Sequence, residues 1–178
     1  MIDLSAAGVV ESRAEDSLEV FPTFEENALA KARYFHALTG GAAFADDSGL
    51  EVDALGGAPG VLSKRWSGRS DLTGQALDGE NNRLLLERLV DASTRAARYV
   101  CAAAHVGGGG ELVSRGETVG RIIDAPRGEH GFGYDPYFFS TELDRTFGEA
   151  TREEKERVSH RGRAFRALLS RISRISRV

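Results

Sequence analysis

Cysteine is almost missing from this chain. Cys101 stands alone, which excludes an intrachain disulfide and any zinc site built from cysteines, and makes a reducing, cytoplasmic setting the default. Long apolar runs are missing as well. No stretch approaches the roughly 20 residues that span a bilayer, and Met1-Ile2-Asp3-Leu4 lacks the basic start and apolar core of a secretion signal. The chain therefore reads as soluble and intracellular. There is no basic excess: 23 Lys and Arg stand against 27 Asp and Glu, a net charge of -4. That argues against a general nucleic-acid binder but leaves room for a local basic pocket around a small anion. No Walker-type phosphate loop, HExxH or Gly-x-Ser-x-Gly motif occurs, and no internal repeat or domain linker.

What is present suits one domain, or two lobes sharing one core, in 178 residues of ordinary globular composition. Residues 1–22 are weakly patterned. Thr23-Phe24-Glu25-Glu26 predicts a capping box, with Glu26 reaching back to the Thr23 amide. Ala28, Leu29, Ala32 and Phe35 then recur at helical spacing until Gly40-Gly41. Ala42 to Ala45 predicts a buried strand that empties into a polar turn at Asp46-Asp47-Ser48-Gly49, with a second short strand over 50–54. Leu77, Leu84, Leu85 and Leu89 predict an inward-packing helix. Tyr99 to Val106 and Glu111 to Ser114 flank Gly107–Gly110 as a hairpin, and Val119 to Ile123 reads as a further strand. Residues 126–140, rich in Gly, Pro and aromatics, read as a shaped loop or an irregular edge. Thr151-Arg152-Glu153-Glu154 is a second capping box, and Ser159 caps a last helix carrying Phe165, Leu168, Leu169 and Ile172. Interleaved strands and helices give an α/β protein.

Four segments carry potential chemistry. Asp46-Asp47 places two acids at the end of an apolar strand, where burial is costly without a cation. Neighbouring strand residues face opposite ways, so one ligates while the other supports; the alternative is an acidic turn capping local amides. Lys31, on the capped helix, is either a phosphate contact or an ordinary solvated lysine. Gly131-Phe132-Gly133-Tyr134-Asp135-Pro136 offers close backbone approach and an aromatic face for a base, or simply a tight turn with its rings in the core. Lys155, His160 and Arg161 form the fourth. The last two fall in a first helical turn, where cations oppose the macrodipole unless a ligand compensates. The run from Arg171 to Arg177 is either a solvated helix end or a nucleic-acid or membrane contact.

The order of these segments closely resembles the inosine triphosphate pyrophosphatase family. The resemblance runs through Thr23-Phe24-Glu25-Glu26-Asn27-Ala28, Lys31-Ala32, Ala45-Asp46-Asp47-Ser48-Gly49-Leu50, Leu55-Gly56-Gly57-Ala58-Pro59-Gly60-Val61, Gly131 to Pro136, Glu154-Lys155 and Ser159-His160-Arg161-Gly162. It implies an elongated mixed sheet flanked by helices, two lobes around a cleft, Mg2+ and a homodimer. It also implies hydrolysis of ITP, dITP and XTP to monophosphate and pyrophosphate. On it, Asp47 binds the metal and accepts a proton from the attacking water, with Asp46 in support. Ser48 and Lys31 contact the triphosphate. Phe132 stacks on the purine within a pocket shaped by Gly133, Tyr134 and Asp135, while Lys155, His160 and Arg161 read the base. Glu19 is the nearest match to a second metal ligand. This arrangement requires Asp47 to face a purine slot lined by Phe132 and Arg161.

The chain departs from that family in one place. Members begin with a strand, a Ser/Thr-x-Asn-x-x-Lys loop that holds phosphates, and a helix, and nothing here matches that loop. Ile2-Asp3-Leu4 resembles the segment that follows the helix. The expectation is a start site placed downstream of the true one. The alternatives are a shortened, catalytically impaired nucleotide-binding protein of the same fold, or a sheet completed by a partner's strand.

Overall fold

The computed structural model describes residues 18–175; Ile2-Asp3-Leu4 and Arg177 lie outside them. Helix α1 (Phe24–Thr39) starts at Thr23, whose hydroxyl accepts from the Glu26 amide at 3.2 Å, and stops at Gly40 in the left-handed conformation with φ 69°. Glu26 does not reach the Thr23 amide. Its carboxylate accepts a hydrogen bond from the Thr23 hydroxyl instead, at 2.7 Å. The reciprocal box forms at α3 (Arg152–Val158), between Thr151 and Glu154.

Strand β1 (Ala43–Val52) does not break at Asp46-Asp47-Ser48-Gly49. Each of these residues has a register partner in β2 (Ala96–Gly107), from Asp46 opposite Ala103 to Gly49 opposite Val100. The two short strands expected there are one. A two-residue turn, Gly108-Gly109, joins β2 to β3 (Gly110–Ile122), which likewise merges two expected strands. Short strands β4 (Phe138–Ser140) and β5 (Arg145–Thr146) complete the order β1-β2-β3-β4-β5. The sheet is antiparallel at every pairing among the described residues.

Helices cover the two faces. Phe24, Ala28 and Ala32 of α1 pack on Val100, Ala102, Ala104 and Val106. The alternate residues Cys101 and Ala103 meet Ala164 and Leu168 of α4 (His160–Ile175). Further along that second face, Leu50, Val52, Tyr99, Ile122, Phe138 and Phe147 form a larger core with Leu85 and Leu89, at and just beyond the end of α2 (Gly74–Arg88). Only part of the expected leucine face of α2 is buried, and the rest of its inward surface is Asn81 and Asn82. Gly116 of β3 sets how close α4 comes: a Cβ there would overlap the His160 carbonyl and the Ala164 amide.

Candidate functional site

The register of β1 against β2 decides which acid faces which helix. Directly opposed residues of an antiparallel pair share a face. Asp47 lies opposite Ala102, on the α1 side, while Asp46 and Ser48 lie opposite Ala103 and Cys101, on the α4 side.

On the α1 side, Asp47 is 8% exposed. Its Oδ2 accepts from the Asn27 amide at 2.9 Å and its Oδ1 from the Ser48 backbone N–H at 2.9 Å. Burial pushes its carboxyl above the ordinary value; the Asn27 hydrogen bond and the nearby Lys31 ammonium pull the other way without cancelling it. Asn27 is fully buried and is itself fixed by the Phe21 backbone, accepting at 2.9 Å and donating at 3.3 Å. Lys31 Nζ sits 2.6 Å from Glu19 Oε1. Arg65 also reaches Glu19, donating to its carbonyl at 2.8 Å. Asp47, Lys31 and Glu19 are therefore neighbours. Among the described residues no three His, Cys, Asp or Glu side chains gather around one point.

On the α4 side, Asp46 Oδ2 is a shared acceptor. Arg161 Nε and Nη2 each lie 2.9 Å from it, the Ser48 hydroxyl donates at 3.1 Å and the Cys101 thiol at 3.6 Å. Burial, with Asp46 adding to it, pushes the Cys101 thiol up to about 12, so the thiol stays protonated and unreactive. Asp46 thus holds Arg161 rather than supporting Asp47. The alternation of side chains along a strand forces that division.

The remaining residues gather around Asp135, which is 2% exposed. It accepts from the Phe132 backbone N–H at 2.9 Å and the Tyr99 hydroxyl at 3.2 Å, and pairs with the Lys155 ammonium. Lys155 lies 5.3 Å from the Phe132 ring centroid and 5.0 Å from that of Phe147. Phe132 is 74% exposed, an outward aromatic residue with a cation beside its ring. Tyr134 turns inward and donates to the Ser63 carbonyl at 2.8 Å. His160 stacks on Tyr99 with centroids 4.8 Å apart and planes 10° apart. Burial, with Arg161 and Lys155 nearby, pushes its pKa down to about 3. The ring is therefore neutral, and this relieves the clash with the helix dipole.

The candidate residues thus fall into two groups. Phe132, Gly133, Tyr134, Asp135, Lys155 and His160 share the Tyr99 neighbourhood, with Arg161, Asp46 and Ser48 farther along the same face. Asp47, Lys31 and Glu19 occupy the other face, so Asp47 does not face Arg161 across one slot. In the described sheet β1 is an edge strand. Two hollows lie elsewhere: one of about 530 Å³ along α3 between Thr151 and Arg166, and one of about 230 Å³ beside Gly108 and Ile175. Tyr99 had no sequence signal as a site residue, and Asn27 stood inside the Thr23 to Ala28 segment without a role of its own; tertiary contacts bring both to the site.

An α/β sheet carrying this set of acids, cations and an exposed aromatic loop has clear relatives. The chain belongs to the Ham1 family, whose model matches residues 2–171. It is 54% identical over 149 residues to the dITP/XTP pyrophosphatase of Mycobacterium tuberculosis, covering 83% of this chain and 71% of that protein. The solved nucleoside-triphosphatase, or dITP/XTP pyrophosphatase, of Mycobacterium abscessus is 49% identical with a TM-score of 0.70, covering 86% of this chain and 77% of the other. The Staphylococcus aureus Ham1 protein is 37% identical with a TM-score of 0.79, covering 87% and 79%.

Proposed function

We propose that this chain hydrolyses the deaminated purine nucleoside triphosphates ITP, dITP and XTP to monophosphate and pyrophosphate, with Mg2+ as cofactor. The observation that carries the reading is the 54% identity with a relative named dITP/XTP pyrophosphatase. In its support the chain carries a side chain for each task, the Asp47 group on one face of the sheet and the base-binding residues on the other.

Asp47 and Glu19 are the residues that would hold the ion. They suit it, since two carboxylates already flank one cation, Lys31, and Mg2+ takes few protein ligands, completing its shell with phosphate oxygens and water. When bound, the ion supplies charge neutralisation on the phosphates. Lys31, released from Glu19, gives phosphate a second positive charge; on the other face, beside Asp46, Ser48 offers a hydroxyl. The oxygen of a water bonds to phosphorus at the α–β bridge. The bridging P–O bond breaks, pyrophosphate leaves with the electron pair, and the water's proton passes to Asp47. Phe132 stacks on the purine. Arg161 only donates, which suits the acceptor at position 6 of hypoxanthine and xanthine and opposes the donor of adenine. His160 and Lys155 adjoin the base, and Gly133, Tyr134 and Asp135 shape its pocket.

The reading includes a single domain over residues 1–178, a homodimer, a cytoplasmic setting and no nucleic-acid or membrane partner. Among the described residues no helix is long and apolar enough to cross a membrane. The test is ITP with Mg2+ followed by product analysis. IMP and pyrophosphate are expected, and Asp47→Asn should lower the rate by about 10²–10⁴-fold. Orthophosphate as the product, or no turnover by folded protein, would overturn the proposal.

A further inference from the structure

The loop that carries Phe132 has an anchor outside the motif segments. Gly133, at φ 61°, offers one N–H and one C=O, and helix α2 holds both. The Asp78 carboxylate accepts from the Gly133 N–H at 2.9 Å, and the Asn82 amide donates to the Gly133 carbonyl at 2.9 Å. Asp78 and Asn82 are four residues apart, one helical turn, so both project from the same side of α2. The pair grips one peptide segment from a rigid element about 50 residues away in sequence. Asn82 is buried, and its Oδ1 has no hydrogen-bond partner among the described residues. The adjacent Asn81 ties a second loop to the same turn of α2, accepting from the Ser67 N–H at 2.8 Å and donating to the Lys64 carbonyl at 3.1 Å.

On the other side of Phe132, Asp135 takes the Phe132 N–H. The backbone around Phe132 is thus fixed from two directions while its ring has little packing to hold it. An exposed aromatic ring can serve as a stacking platform only if its backbone is set beforehand, because ordering it on binding would consume part of the binding free energy.

We propose that Asp78 and Asn82 are positioning residues for base recognition, presetting the Phe132 platform through the two backbone groups of Gly133. This rests on the reading that Phe132 stacks on the purine, and the test separates the two. KM and kcat for ITP are measured for Phe132→Ala, Asp78→Ala, Asn82→Ala and Asp78→Asn. Amide hydrogen exchange is followed at residues 131–135 of the full chain without nucleotide. The expected result is a rise in KM of about tenfold in Phe132→Ala and in both α2 alanine variants, a loss of about 1.4 kcal/mol, with kcat within about twofold. The Gly133 N–H should lose protection in Asp78→Ala. Asp78→Asn, which retains an acceptor oxygen, should restore both KM and protection. If Phe132→Ala raises KM while Asp78→Ala and Asn82→Ala leave it and the exchange unchanged, the positioning role is overturned and stacking stands. If Phe132→Ala itself leaves KM unchanged, the stacking reading falls, and the positioning role with it.

Discussion

His160 stacks on Tyr99 in a partly buried position with two cations nearby, and its pKa is held down to about 3. In the unfolded chain the same ring protonates at about 6.5. Between those values the unfolded state holds more protons, so the contribution is full above pH 6.5 and is lost as pH falls towards 3. His160→Phe keeps the stack and removes the titration. Urea midpoints for the two proteins should diverge from pH 7 to pH 5, the wild type losing up to about 1.4 kcal/mol more per pH unit. Parallel midpoints would mean the ring is not buried as described. The sequence showed His160 and Arg161 as cations set against a helix dipole, and the structure answers differently for each. His160 gives up its charge, and Arg161 shares its own with Asp46. Neither answer was legible without knowing that Tyr99 and Asp46 stand on the same face of the sheet.

Helix ends were the elements best written into the sequence, because caps are local chemistry. Thr23, Gly40, Thr151 and Ser159 all mark boundaries. The glycine turn between β2 and β3 was equally plain. Strand β1 was not, because Asp-Asp-Ser-Gly has the composition of a turn. It stays extended because each acid finds a donor on its own face, Asn27 for Asp47 and Arg161 for Asp46. The contact between β3 and α4 had no sequence signal either, since it depends on Gly116 lacking a side chain. Gly116→Val should destabilise the fold by about 1–3 kcal/mol and push α4 outward, carrying His160 and Arg161 with it. Chemical denaturation measures the first effect. A rise in KM at temperatures where the variant remains folded measures the second.

At the scale of the whole molecule, the acid–lysine group and the aromatic–histidine group lie on opposite faces of one sheet. A triphosphate touching both would have to reach from one face to the other. Substitutions on the two sides should then act independently. Lys31→Ala should lower kcat/KM by about 10–100-fold, the range for losing a charged hydrogen bond. In a double-mutant cycle with Phe132→Ala, the coupling should fall below about 0.5 kcal/mol; a larger coupling would place the two groups in one contiguous pocket. The sequence named both groups but could not divide them, since strand register decides the side and one residue of slip would exchange the two acids. The ion pairs already described have a final consequence. Lys31 is held by Glu19, Lys155 by Asp135 and Arg161 by Asp46, so each of these cations enters the encounter already engaged. Binding is an exchange of partners, with little bare positive field for stray sulfate or orthophosphate to exploit. Such ions should be feeble competitors, and a nucleotide arriving with its own dication to occupy the vacated carboxylates gains an advantage that a simple anion lacks.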